Sequence, residues 1–370
     1  MGKQNLHDED YMKQALRLAR RGLGKTSPNP MVGAIIVKDN LIIGKGYHHH
    51  FGGKHAEVNA IRNAEEEVKG ATLYVTLEPC CFYGKTPPCV DAIIRNNIGR
   101  VVIGVLDPNP LVSGKSVEVL KQKGIETRIG VLEEECRDLN EAHFKYMTTG
   151  LPLVTLKFAQ TLDGRIATAT GNSQWISSEK FQRLAHRLRA INDAVMVGID
   201  TVLADDPQLT VRLVRGRNPT RVVLDSRLRI PLDARVVSSQ ETAPTIIATT
   251  SHADEKKLAS VREAGIEVLV IREDEGGRVD LRELLGALGK RGISSVLVEG
   301  GAGVITSLLR QNLVDKMVVA VAPKIMGKGI EAVGELNIRE VSQTLKLSFK
   351  KVYRAGEDLI IEAGVSPSSG

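Results

Sequence analysis

The chain is predicted to be an α/β protein of two domains, and three observations predict it. Short apolar, β-branched runs alternate with helix-length amphipathic segments through both halves, which implies central sheets covered by helices on both faces. At 370 residues the chain is too long for one typical domain and sufficient for two. A Thr-Thr-Gly-Leu-Pro stretch at 148–152 interrupts the alternation with turn formers. The expected organisation is a first domain at residues 1–147, a linker at 148–151, a second domain at 152–366 and a flexible Ser/Gly-rich tail at 367–370. The two halves show no internal repeat.

In the first half, Asp8 or Glu9 starts a helix in which Met12, Ala15, Leu16 and Ala19 share one face, and Gly22 and Gly24 stop it. Ser27-Pro28-Asn29-Pro30 is a rigid turn, because Asn29 between two prolines is not helical. Residues 32–37 and 41–46 form a hairpin around Asp39-Asn40. A loop with His48, His49, His50, Gly52 and Gly53 leads into a helix beginning near His55. Residues 73–77 read as a buried strand ended by Glu78-Pro79, and Cys89 opens the next helix. A strand at 100–106, the turn Asp107-Pro108-Asn109-Pro110 and one helix over 133–144 close the domain. The second half has strands at 153–158, 194–198, 221–224, 245–249, 267–271, 295–298 and 316–321.

Composition excludes several classes. Apolar residues make up 42% and charged residues 25%, ordinary values for a globular chain. No uninterrupted apolar run is long enough to span a membrane, and the polar start has no export signal, so a cytoplasmic protein is expected. Four cysteines, two or three of them in one metal-like cluster, fit a reducing compartment and no disulfide framework. The net charge of +6 is spread along the length and fits anionic small molecules. Nucleic acid is not an expected partner, because only 4% of residues are aromatic and no basic cluster interleaves with them.

The chemistry concentrates between His55 and Cys89. His55 and two thiolates give a zinc ion three ligands and leave the fourth tetrahedral position open, the arrangement of a catalytic site. Zinc lowers the pKa of a bound water to roughly 7. Glu57, two residues past His55, is placed to take that proton and hand it to a leaving amine. His-x-Glu followed by Pro-Cys and a second Cys is the pattern of the zinc nucleobase deaminases. The Pro-Cys spacing favours Cys80 over Cys81 as the first sulfur ligand, and Cys89 is the second. His55 and Cys89 would lie at helix starts, where the macrodipole favours thiolate. A structural zinc site would want a fourth ligand, and Cys136 lies too far along to be one. A zinc-stabilised binding module has no use for Glu57. A nucleic-acid or nucleoside deaminase with a non-catalytic second domain is the remaining alternative. Of the three consecutive histidines at 48–50, one is expected to face the pocket.

The spacing between the two sulfurs carries a family resemblance. Zinc base deaminases place about two to four residues there; this chain has eight, Cys81-Phe82-Tyr83-Gly84-Lys85-Thr86-Pro87-Pro88. With Ser27-Pro28-Asn29-Pro30 and Asp107-Pro108-Asn109-Pro110, this stretch resembles the bifunctional deaminase–reductases of riboflavin biosynthesis. The resemblance extends through Thr155-Leu156-Lys157, Thr161-Leu162-Asp163-Gly164-Arg165-Ile166-Ala167, Ser173-Gln174-Trp175-Ile176, Thr201-Val202-Leu203-Ala204-Asp205-Asp206-Pro207 and Val298-Glu299-Gly300-Gly301. It implies a cytidine-deaminase-like three-layer α/β/α domain followed by a dihydrofolate-reductase-like α/β domain. It also implies one zinc ion, NADPH, phosphorylated pyrimidine substrates and a homo-oligomer, dimer or tetramer. By the same resemblance Asn29 and His48 hold the pyrimidine and ribose, and Lys85 meets the phosphate. The chain departs from the pattern in two places. Cys81-Phe82 stands where the family has Ser-His, so the histidine's substrate contact is absent or supplied by His49 or His50. Ser116 stands where glycine is common.

In the second half, Gly300-Gly301-Ala302-Gly303 lies between a strand and a helix, where backbone N–H groups approach a pyrophosphate. It lacks the spacing of the dinucleotide-binding fingerprint. The resemblance adds Ala159, Trp175, Thr201, Asp205, Ser226 and residues Gly301, Ala302, Gly303, Val304, Ile305, Thr306 and Ser307 as NADPH contacts. Ser173, Arg189, Leu209, Arg212 and Glu299 match substrate positions, with Arg189 and Arg212 as phosphate partners. Lys157, Asp205 and Glu299 are candidates for stabilising or protonating the opened sugar.

Overall fold

The computed structural model describes residues 2–366, with side chains from Asp8 onward; the expected tail at 367–370 lies outside the described residues. The chain separates into two compact units, Met1–Gly150 and Leu151–Gly370.

The first unit runs α1 (Gly2–Ala19), β1 (Gly33–Lys38), β2 (Leu41–Tyr47), α2 (Ala56–Arg62), β3 (Thr72–Leu77), α3 (Cys89–Arg95), β4 (Arg100–Val105), α4 (Lys115–Gln122), β5 (Glu126–Ile129), α5 (Glu133–Leu139) and α6 (Glu141–Thr149). Its sheet has the order β2-β1-β3-β4-β5. β1 is antiparallel to β2 and β3, and β3, β4 and β5 are parallel. The strand period of two sorts the core into two layers. Ala34, Ile36, Leu73, Val75, Val101 and Ile103 face α2, α3 and α4. Ile35, Val37, Tyr74 and Val102 face α1 and α5. The expected three-layer α/β/α arrangement is therefore present.

Differences from the sequence reading have local causes. α1 begins at Gly2 rather than Asp8 or Glu9, since residues 3–8 contain no proline or glycine to stop it. The single helix expected over 133–144 is two, broken at Asn140. There the Asn140 amide accepts from Met31 N–H at 2.8 Å and donates to Met31 C=O at 2.9 Å, so its backbone leaves the helical region. Thr148 and Thr149, expected in the linker, form the last turn of α6, which Gly150 ends with a left-handed φ of 71°. Asp39 and Asn40 both have positive φ, as a two-residue hairpin turn requires. A Cβ at Gly46 would sit 2.3 Å from Ala56 C=O and Ala60 N, so this glycine lets the start of α2 lie against β2.

The second unit runs β6 (Leu153–Thr161), β7 (Arg165–Thr168), α7 (Glu179–Ile191), β8 (Ala194–Gly198), α8 (Ile199–Asp205), β9 (Thr220–Leu224), α9 (Arg235–Ser238), β10 (Thr245–Thr249), α10 (Glu255–Glu263), β11 (Glu267–Val270), α11 (Leu281–Gly289), β12 (Ser295–Val298), α12 (Ala302–Arg310), β13 (Lys316–Ala322), β14 (Gly329–Glu331), β15 (Lys346–Ala355) and β16 (Asp358–Ser366). Nine strands form one sheet in the order β11-β10-β9-β8-β12-β6-β13-β16-β15, and β14 pairs with β7 separately. The strands from β11 to β13 are parallel, while β16 and β15 add an antiparallel edge. α11 and α12 cover one face of the sheet. On the other face, Val195, Val197, Val223 and Ile247 pack with α8, α9 and α10. The β15–β16 hairpin was missed because β15 alternates apolar and basic residues on an exposed edge and forms no apolar run. No helix among the described residues is long and apolar enough to cross a membrane.

Candidate functional site

Two cavities are lined by candidate residues, while Cys89, Lys157, Ala159, Trp175, Arg189, Leu209, Arg212, Glu299, Ile305 and Thr306 line neither. The first, about 320 Å³, lies in the first unit; its walls include Asn29, His48, His55, Glu57, Cys80 and Lys85.

His55 caps α2 from an extended backbone, and Cys89 is the first residue of α3. Cys80 comes from the loop after β3. That loop is anchored by Glu78, whose carboxylate accepts the N–H groups of Asp107 (3.3 Å), Gly114 (3.0 Å) and Ser116 (3.2 Å). Ser116, the departure noted above, adds a hydroxyl donating to Pro79 C=O at 2.5 Å. The ligand atoms of His55, Cys80 and Cys89 all lie within 4.8 Å of one another. His55 Nδ1 is 3.2 Å from the Cys89 sulfur and 3.5 Å from that of Cys80. Tetrahedral zinc, with bonds of about 2.1 Å to nitrogen and 2.3 Å to sulfur, sets the N···S edge near ~3.6 Å. The donor set therefore fits zinc. Nε2 of His55, the nitrogen turned away from the sulfurs, has Thr86 Oγ1 at 3.4 Å, the outer partner that fixes a ligating imidazole. Among the described residues no fourth Cys, His or carboxylate joins this group. Cys136 is buried in α5 against Gly104, and Cys81 turns toward Leu111 C=O at 3.7 Å.

The local electrostatics favour a cation. Hydrogen bonding to the Cys89 thiol, with help from His55, lowers the Cys80 pKa to about 5 against the effect of burial. The same contact with Cys80, together with burial, drives the Cys89 thiol upward. Metal binding at such a pair would displace thiol protons. Glu57 is 3% exposed, its Oε2 has no hydrogen-bond partner among the described residues, and burial raises its carboxyl pKa. A buried, unpartnered carboxylate oxygen beside three metal donors is suited to exchanging protons there.

His48 is the histidine of the run that lines the cavity. Its Nδ1–H donates to Lys54 C=O at 3.2 Å, which leaves Nε2 to accept from the Asn29 amide at 3.3 Å. Burial lowers its pKa, so it stays neutral. His49 instead stacks on Tyr47 at 4.1 Å, and His50 donates to Phe51 C=O at 3.1 Å. Neither lines the cavity, so neither supplies the contact that Phe82 lacks. Lys85 sits over the Phe51 ring, 3.9 Å from its centroid. The walls also include Asp107, Asn109, His143 and Met147. The sequence reading took the first two as turn residues, and nothing in the pattern around His143 distinguishes it from any helical residue.

The second cavity, about 780 Å³, opens at the carboxyl ends of β8, β9 and β12, where open parallel sheets bind ligands. Thr201, Asp205, Ser226, Gly301, Ala302, Gly303, Val304 and Ser307 line it, with Ser173. Nothing lies within 4 Å of where a Cβ on Gly303 would be, so the backbone at the start of α12 is open to a phosphate. That cradle fits a dinucleotide. Ala159, Ile305 and Thr306 do not line this cavity. Ile305 is buried in the core, and the Thr306 hydroxyl donates to Ala302 C=O at 2.6 Å. Trp175 is 67% exposed and packs in no core.

Two of the proposed substrate residues, Arg189 and Glu299, form an ionic cluster with Lys157. Arg189 holds Glu299 through Nε (2.5 Å) and Nη2 (3.0 Å), and Lys157 reaches the same carboxylate at 3.3 Å. Arg189 is thus committed to Glu299 rather than open to phosphate. Arg212 has no carboxylate partner among the described residues, and burial and Arg189 lower its pKa. Leu209, at φ 54°, is 3% exposed. Burial alone would raise the Glu299 pKa, but Arg189 and Lys157 hold it at about 2. Arg189→Ala is expected to destabilise the chain by about 3–5 kcal/mol at neutral pH, because it leaves a buried charge half-paired. Glu299 would then titrate higher, so the deficit should shrink as the pH falls and the carboxyl protonates. Thermal melts from pH 4 to 8 check both the loss and its sign.

Comparison with known proteins places the chain in a family. Residues 6–105 match the cytidine and deoxycytidylate deaminase zinc-binding region, and residues 152–361 match the RibD C-terminal domain. The riboflavin biosynthesis protein RibD of Aquifex aeolicus is 49% identical over 96% of this chain and 97% of its own length. That of Escherichia coli is 40% identical over 96% and 99%. The structure of Acinetobacter baumannii RibD superposes with a TM-score of 0.89 at 39% identity, covering 98% of this chain and 99% of that one. A Thermotoga maritima diaminohydroxyphosphoribosylaminopyrimidine deaminase/5-amino-6-(5-phosphoribosylamino)uracil reductase superposes at 0.86 with 40% identity, covering 98% and 100%. With near-full-length identity joined to a His/Cys/Cys zinc site and a reductase domain, the chain belongs to the RibD family of bifunctional riboflavin-biosynthesis deaminase–reductases.

Proposed function

We propose that the first unit deaminates 2,5-diamino-6-ribosylamino-4(3H)-pyrimidinone 5′-phosphate at its 2-amino group. The second then reduces the ribosyl side chain to ribityl, giving 5-amino-6-ribitylamino-uracil 5′-phosphate. The observation that carries this is Glu57 Oε2, buried and unpartnered beside three converging zinc donors. Zinc held by His55, Cys80 and Cys89 would supply a water acidified to about pKa 7. Glu57 accepts a proton at Oε2 and delivers it to the departing amine. His48 and Asn29, joined through Nε2 and the amide at the cavity wall, orient pyrimidine and ribose, and Lys85 on the same wall meets the phosphate. In the second unit NADPH, when bound, would supply the two electrons. Thr201, Asp205, Ser226 and the start of α12 hold it, while Ser173, Leu209, Arg212 and the Lys157–Glu299–Arg189 cluster hold the opened sugar.

The same reading has the chain work in the cytoplasm as a dimer or tetramer. An apolar edge supports this: Phe349 and Val352 on β15 are 67% and 54% exposed, and sedimentation of a monomer would rule it out. The activity is tested by following ammonia release and NADPH oxidation together on the diaminopyrimidine phosphate. One ammonia and one oxidised NADPH per substrate are expected. Ammonia from cytidine or single-stranded nucleic acid, with none from the diaminopyrimidine, would overturn the reading.

A further inference from the structure

We propose that His143 is a positioning residue for deamination, holding the Asp107 carboxylate in place to receive an N–H of the aminopyrimidine. This rests on the reading that the first cavity takes an aminopyrimidine. His143 lies in the first turn of α6, 6% exposed, on the helix face that also brings Met147 to the cavity. Its Nε2 is 3.3 Å from Asp107 Oδ1. A carboxylate oxygen only accepts, so Nε2 carries the hydrogen. The same oxygen accepts Asn109 N–H at 2.9 Å. Two donors on Oδ1 fix the rotation of the carboxylate, and Oδ2 has no hydrogen-bond partner among the described residues.

His143 Nδ1 is buried and has no hydrogen-bond partner among the described residues. A buried unsatisfied nitrogen disfavours the fold, and a phenyl ring of similar shape would fill the space without one. The benefit of an imidazole here therefore lies in the single bond from Nε2 to Asp107. Three carboxylates line this cavity, Glu57, Glu78 and Asp107. Glu78 is occupied by three backbone N–H groups, and Glu57 lies at the metal donors. Asp107 is the remaining acceptor for the N–H edge of a pyrimidine, and His143 determines how it is presented.

The test compares His143→Phe and His143→Gln in the full-length, zinc-loaded protein. His143→Phe is expected to raise the deamination KM about tenfold with kcat within twofold and zinc content unchanged. Calorimetry should show the deaminated product binding about tenfold more weakly. His143→Gln, whose amide nitrogen donates from nearly the same point, should restore most of both. In an Asp107→Asn background, His143→Phe should add less than twofold, because the bond it removes serves only that carboxylate. An unchanged KM, equal Phe and Gln variants, or full additivity with Asp107→Asn would each overturn the proposal. Should the Phe variant not fold, the Gln variant decides: a KM near wild type supports the proposal, and a tenfold rise sinks it. Failure of the underlying functional reading would show instead in the wild type, as no ammonia from the diaminopyrimidine.

Discussion

Cys89→Ala is expected to abolish zinc binding and to cut deamination by more than about a thousandfold while reduction of pre-deaminated substrate stays within twofold. The size of the first effect follows from the site having only three protein donors. His55 and Cys80 alone offer a cation two ligands, too few for the tetrahedral site, and water at neutral pH then keeps its ordinary acidity. The survival of the second activity follows from the residues lining the two cavities, which share no member. Cys89 is wholly buried at the start of α3, so the alanine leaves only the volume of one sulfur. Metal analysis, ammonia release and NADPH oxidation on one preparation check all three points. Parallel loss of both activities would contradict independent sites.

Glu57→Gln should keep zinc and lose deamination by about 10²–10⁴-fold, the range for removing a positioned proton carrier. The substitution preserves shape in a position 3% exposed, and His55, Cys80 and Cys89 retain their donor atoms. What it removes is the capacity of Oε2 to accept and return a proton. A variant with normal zinc content and full activity would remove the shuttle role and leave Glu57 as a packing residue.

The chemistry of the first site was legible because its residues are local in sequence. His55, Glu57, Cys80 and Cys89 lie within one loop–helix–strand–loop–helix passage, and the elements that orient them formed where the pattern put them. Asn29 and His48 were named through resemblance, and the cavity contains both. His143 was not legible, because its meaning depends on an Asp107 contact made between distant segments, and an isolated histidine in an amphipathic helix carries no signal. The break at Asn140 is of the same kind, since a side chain pairing with Met31 overrides helix periodicity. In the second unit the parallel strands were evident from apolar runs. The commitment of Arg189 to Glu299 was not, because ion pairing is set by tertiary packing rather than by the motif. Phe82 in place of histidine was visible as a departure, but the sequence pointed to His49 and His50, whose alternating directions take them elsewhere.

X-ray absorption at the zinc edge of the purified wild-type protein addresses the metal environment without any assay. One nitrogen and two sulfurs from the protein, with a single exchangeable oxygen completing four-fold coordination, is the predicted shell. A protein without stoichiometric zinc, or zinc saturated by four side chains, would contradict the catalytic assignment.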